Sequence, residues 1–306
     1  MRRIIPFALA LLLCGCASHA TASPNLPVLE MQTAAKQTSW LSKDVKPGVA
    51  LVYASSYPEC GGCVLVFRQD NGALVGLLSN GLTIPNGLAT DGSGTLYIAN
   101  NGGNGFYDIL EYPQGALQPS KALDDLESPE AVVVAEDGTV YVSNFGPTAS
   151  VFVYAEGANS PTSQLFDVNA VIGYGIALDN RGNVYWGFST PTGYQIDKFV
   201  HGKTKPINLG IALTDVPGSI AFDKMNRLVV SAQNGLDIYE LPNTLVGQID
   251  LTVDPIGIAF NRFKSIFVAD QAASNIDQYS YPGGTLKKTI APPNFNPRGV
   301  AVFPKP

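Results

Sequence analysis

The sequence has little of what most catalytic and metal chemistry needs. Its 306 residues include two His, four Cys, three Met and two Trp, and charged residues make up only 14%. His19 lies close to the N-terminus and His201 falls at a hairpin-turn position. That leaves neither a His-dependent triad nor a His-rich metal site within reach of the pattern. There is no Gly-x-Ser-x-Gly elbow and no phosphate-binding glycine loop. Positive charge is scarce too: the net charge is −6, the pI is near 4.9, and no basic stripe follows Arg2 and Arg3. A nucleic-acid partner, which selects basic faces, is thereby excluded. No apolar run is long enough to cross a bilayer as a helix.

What is abundant is turn chemistry. Thirty-one Gly and twenty-two Pro are spread along the chain, within a composition that is 45% apolar. Short strands joined by tight turns fit that distribution, and the apolar content is ample for a buried core.

The N-terminus reads as a targeting segment. Arg2 and Arg3 precede the short apolar run from Ile4 to Leu13, and Leu13-Cys14-Gly15-Cys16 follows. The last four residues resemble a bacterial lipobox, in which Cys16 becomes the lipidated first residue of the mature chain. Cleavage after Ala20 or Ala22, giving a secreted protein, is the alternative. By the same resemblance, Ala17 after the lipidated Cys implies an outer-membrane destination. The expected organisation is a signal peptide over 1–16, a flexible tether over 17–47 and a folded body over 48–306. Val28 to Ser42 could form a short helix within the tether, with Leu29, Met31 and Trp40 able to dock on the body.

A repeat decides the fold class. GLATDGSGTLYIAN (87–100) recurs as AVVVAEDGTVYVSN (131–144) and GIALDNRGNVYWGF (175–188). More divergent copies start at Ser219, Gly257 and Gly299, so the starts are 38 to 44 residues apart. That interval is one four-stranded propeller blade. One column near the end of the second strand holds only small residues: Ala54, Ala99, Ser143, Gly187, Ser231 and Ala269. It implies close backbone packing between blades. The first copy has a second strand without a first, and the last has a first strand without a second. The C-terminal strand should therefore complete the N-terminal blade, giving an all-β, six-bladed propeller with no free sheet edge.

The motif Pro-x-Gly-Ile-Ala-x-Asp-x-x-Gly-x-x-Tyr-Val-x-Asn resembles the NHL-repeat and gluconolactonase (senescence-marker-like) propellers. The resemblance covers about residues 50–306 and implies that the residue before each first strand points into the central channel. Those six positions are Arg298, Asn86, Glu130, Tyr174, Gly218 and Ile256. The ends of the second strands add Asn100, Asn144, Phe188 and Asp270 at the same face, with Tyr194 in a following loop. Arg298, Asn86, Glu130, Tyr174, Asn100, Asn144, Asp270 and Tyr194 are the candidate ligand-binding residues. The bland alternative for Arg298 and Glu130 is mutual neutralisation that holds the ring closed. The gluconolactonase-like resemblance implies a divalent cation, calcium among the candidates, at Asn86 and Glu130. The sequence departs from that family by lacking its catalytic Asp and by placing Arg298 where it would repel a metal.

Cys60-Gly-Gly-Cys63 lies in the loop after the first second-strand. A zinc site would need two more ligands, and a thioredoxin-like site would start a helix rather than lead into Val64-Leu65-Val66-Phe67. A local disulfide is the expectation in an exported chain. The functional expectation is a monomeric, surface-tethered, non-enzymatic binding or scaffold propeller. It would recognise a small polar molecule, a glycan or an envelope protein at the channel mouth, and would touch the membrane only through its lipid. A divalent-metal lactonase or hydrolase is the alternative.

Overall fold

A computed structural model describes residues 39–304, apart from 103–106, 125, 147–148, 234, 252–254 and 263. The signal segment, Cys16 and most of the expected tether lie outside the described residues.

Six four-stranded antiparallel sheets form a ring. Blade 1 is built from Pro297–Phe303, Leu51–Ser56, Cys63–Arg68 and Leu74–Leu78, in that order from the axis outwards. The innermost strands of blades 2 to 6 are Ile84–Thr90, Pro129–Val134, Ile172–Leu178, Ile220–Phe222 and Pro255–Phe260. In each of these blades the chain then runs outward strand by strand. Neighbouring inner strands touch around the whole circle. The C-terminal strand closes it, with Leu51 opposite Phe303, Val52 opposite Val302 and Tyr53 opposite Ala301. The expected closure and blade count are thus what the chain adopts.

There is no single central core. The buried apolar residues fall into six clusters, one at each blade interface. Period-two strands buried on both faces produce this arrangement, since each sheet presents one side chain set to each neighbour. The small column lies at these interfaces. Ala54, Ala99, Ser143 and Ala269 are fully buried, and a Cβ on Gly187 would come within 2.8 Å of the Pro217 ring. Ser143 also accepts a hydrogen bond from Trp186 Nε1 of the next blade at 2.9 Å.

The turns between first and second strands explain the repeated acids. Asp91 Oδ1 accepts from the Ser93 and Thr95 amides, Asp179 from Arg181 and Asn183, and Asp223 from Met225 and Arg227. Each carboxylate builds its own turn and has no role at the axis. His201, on the far side of the ring from the channel mouth, donates its backbone N–H to Asn183 Oδ1.

One boundary differs from expectation. Trp40 is buried, edge-on to Tyr53 with ring centroids 6.1 Å apart, and Leu41 forms an isolated bridge to Gly76 on the outer strand of blade 1. The body therefore begins by residue 39, inside the stretch expected to be tether. Residues 39–42 are not helical. Trp40 does dock, because an indole on a sheet edge removes a large apolar area from water.

Candidate functional site

The channel mouth is made by one recurrent irregularity. In five blades the register of the inner strand slips near its start, between Pro85 and Leu88, Pro129 and Ala131, Gly173 and Ile176, Pro255 and Gly257, and opposite Ala54 and Ser56. The residues carried by these bulges include Asn86, Glu130, Tyr174, Ile256 and Arg298. A bulge removes a residue from the ladder and re-aims its side chain, here at a sheet end near the axis. In blade 5 the corresponding Gly218 has no side chain to aim.

The slips are possible because the next residue is small and the blades nearly touch there. A Cβ on Gly299 would lie 2.5 Å from the Asn86 carbonyl oxygen, and one on Gly87 would lie 2.6 Å from that of Glu130. Ser55 ties the same point, donating to the Asn86 carbonyl at 2.6 Å and accepting from the Gly299 amide at 2.8 Å.

Below the mouth runs a channel of about 320 Å³, lined by the inner strands of all six blades. Its walls mix small apolar side chains, with Ala89, Val133, Ala177, Ala221, Ala259 and Ala301 contributing one level, and polar groups that include Ser219 and Thr90. Among its lining residues only Glu130 and Arg298 are charged. Asn86 Nδ2 donates to Glu130 Oε2 at 3.2 Å. Burial pushes the Glu130 carboxyl up to about 7, against the opposing pull of the Arg298 guanidinium. Crowding by protein atoms causes that rise even though part of the side chain opens onto the channel.

Glu130 and Arg298 attract each other without pairing. Ion pairs within 4.0 Å join Arg68 to Asp70, Lys121 to Glu111 and Arg227 to Asp223, but not these two. Arg298 Nε is buried with no hydrogen-bond partner. No ion pair within 4.0 Å clasps the ring here; the closure is held by strand pairing and by Ser55, while Arg298 still attracts Glu130. Tyr174, within electrostatic reach of Glu130, is edge-on to Phe145 with centroids 6.2 Å apart. Its hydroxyl is pushed above the ordinary value chiefly by burial, while a hydrogen bond to Ser189 works the other way and Tyr194 and Glu130 add to the rise.

Three expected ligand residues, Asn100, Asn144 and Asp270, accept hydrogen bonds from nearby backbone amides. Asn100 is 4% exposed, and its Oδ1 accepts from the Thr83 amide while Nδ2 donates to Asp108. Asn144 is fully buried and accepts from the Ser128 and Glu127 amides. Asp270, 1% exposed, accepts from the Ala273 amide. Asn100 and Asn144 thus fix, through their oxygens, the segments that lead into Asn86 and Glu130, and Asn144 Nδ2 is left buried without a partner. Their place at the mouth end of the second strand was readable from the repeat, but their inward hydrogen bonds were not.

Cys60 and Cys63 form a disulfide. Its loop sits against the mouth: the Tyr57 amide donates to the Asn296 carbonyl, and a Cβ on Gly62 would meet the Thr83 carbonyl at 2.1 Å.

A divalent cation does not suit the mouth. Among the described residues no group of three or more His, Cys, Asp or Glu could hold a metal. A hard cation wants about six to eight oxygens. The mouth supplies one carboxylate, an amide that turns its NH₂ toward that carboxylate, and a guanidinium. The repeat also gave no sign of an apolar rim. Phe145, Phe166, Val168 and Val171, all in loops at this end of blades 3 and 4, are exposed, Val168 to 87%.

No protein-family model and no curated protein sequence matches the chain. Solved structures do. A chain of a nidogen/laminin complex aligns with a TM-score of 0.70 at 18% identity, over 83% of this chain and 98% of that one. The shared fold is a six-bladed β-propeller. A protein of unknown function from Bacteroides caccae aligns at 0.63 and 12% identity, over 84% and 99% of the two chains. A virginiamycin B lyase from Staphylococcus aureus aligns at 0.52 and 14% identity, over 70% and 73%. At such identities the likeness extends to fold alone.

Proposed function

We propose that this is a non-enzymatic binding propeller that holds its ligand at the channel mouth, on Arg298, Glu130 and Tyr174. The observation that carries the reading is the part-exposed Arg298 side chain, which lines the channel with no ion pair within 4.0 Å and shares that lining with a carboxyl that it attracts. A guanidinium without an ion-pair partner in a concave site is what an anionic or polar ligand satisfies. The ligand is a small polar molecule, a glycan or a protruding group of another envelope protein. One similar propeller belongs to a nidogen/laminin complex, which supports a protein partner in general terms. The N-terminal Leu13-Cys14-Gly15-Cys16 supports export and a lipid anchor at Cys16, which would stand the ring off an envelope surface.

A thermal-shift screen of the full mature chain against organic acids and sugars tests the reading. Binding to the folded state raises the unfolding midpoint, by about 2.7 kcal/mol at 100-fold excess over Kd. Arg298→Ala should remove the shift and keep the fold. A shift that survives in Arg298→Ala and in Glu130→Gln would place binding elsewhere.

A further inference from the structure

We propose that mouth and channel together bind an amphiphilic carboxylate, with its head group on Arg298 and an aliphatic tail running down the axis. The inference rests on the reading of the mouth as the binding site and adds the class of ligand.

The head group follows from the donors. Arg298 is part-exposed, lines the channel and forms no ion pair within 4.0 Å, and a carboxylate accepts from a guanidinium fork with two oxygens. Asn86 Nδ2 donates to Glu130, and Tyr174 lies within electrostatic reach of that carboxyl. Glu130 would repel a second carboxylate if ionised. Burial pushes it up to about 7, so near neutral pH much of it carries a proton and can donate one hydrogen bond to the head. The groups facing Glu130 are Arg298, Asn86 and Tyr174, and none is a second acid.

The tail follows from what lies beneath. Past the charged pair, the lining continues through Gly175, Gly257 and Gly299 to the alanine-rich level and on to Leu178, Phe222 and Phe260. The side chains along this length are apolar apart from Ser219 and Thr90, so an aliphatic chain can pack against them. A volume of about 320 Å³ is at the small end for ligand pockets and suits one short chain. Small residues leave the bore open, and its length runs along the same axis that the head group caps.

Isothermal titration of the mature chain at pH 6.5 with octanoate, acetate and octylamine separates the parts. Octanoate should bind, and acetate should be weaker by roughly fourfold for each methylene that the channel buries. Octylamine should not bind, since Arg298 repels it. Arg298→Ala should weaken octanoate at least tenfold. Ala221→Leu, which narrows the bore, should weaken octanoate but leave acetate unchanged, and both variants are compared at matched thermal midpoints. Raising the pH to 8.5 should weaken octanoate as Glu130 ionises. Equal binding of octanoate and acetate, or of octanoate and octylamine, would overturn the proposal. So would octanoate binding that ignores both substitutions. If none of the three binds while a sugar or an acidic peptide binds in an Arg298-dependent way, the amphiphile falls and the mouth remains the site.

Discussion

Replacing Glu130 by Gln should stabilise the protein, and the gain should depend on pH in a defined way. Glu130 is moved from an ordinary 4.5 to about 7 by burial, and this already includes the attraction of Arg298. At about 1.4 kcal/mol per pH unit, the charged form in the folded state carries a cost of roughly 3 kcal/mol. Water in the channel screens part of this, so the figure is a ceiling. Below pH 4.5 the carboxyl is protonated in both folded and unfolded chains, and Glu130→Gln should be nearly neutral. Between 4.5 and 7 the unfolded chain releases its proton while the folded chain retains it. Wild-type stability therefore falls with rising pH relative to the variant. Above 7 both states are ionised and the difference levels off at its maximum. Gln keeps the acceptor for Asn86 Nδ2, so the change isolates the charge. Urea unfolding of both proteins at pH 4, 6 and 8.5 measures it. A variant that is less stable at pH 8.5, or a difference that does not change with pH, would refute the reasoning.

Gly299→Ala should destabilise by about 1–3 kcal/mol, because its Cβ would press on the Asn86 carbonyl at the ring closure; thermal unfolding reads it. Trp40→Ala should cost about 3–5 kcal/mol, which would show that the body starts before residue 48. Asn144→Ala strips the acceptor from the Ser128 and Glu127 amides and should cost about 1–3 kcal/mol, with faster amide exchange at both residues. Replacing Cys60 and Cys63 by Ser should cost no more than about 2 kcal/mol, since the loop they close is short.

The repeat made the fold legible because each blade repeats the same physical demand. Asp91, Asp179 and Asp223 build the same turn, the small column allows the same approach of neighbouring blades, and the unmatched first and last copies imply the closure. The mouth was legible as a set of positions for the same reason: Arg298, Asn86, Glu130 and Tyr174 share one place in the repeat. What each side chain does there was not. Asn100 and Asn144 look as available as Asn86 in one dimension, yet their oxygens are taken by the Thr83 and Ser128 amides. The separation of Glu130 from Arg298 depends on how neighbouring blades sit, which no local pattern encodes. Trp40 had no repeat partner to mark it as part of the body.

The central claim is that ligands enter at the bulged starts of the inner strands. Hydrogen–deuterium exchange, with the ligand that gives the largest thermal shift, tests it most directly. Protection should appear in peptides covering 84–90, 129–134, 172–178 and 297–303, and should vanish in Arg298→Ala. Protection confined to the opposite turns, such as 179–183 and 223–227, or to the outer strands, would contradict it.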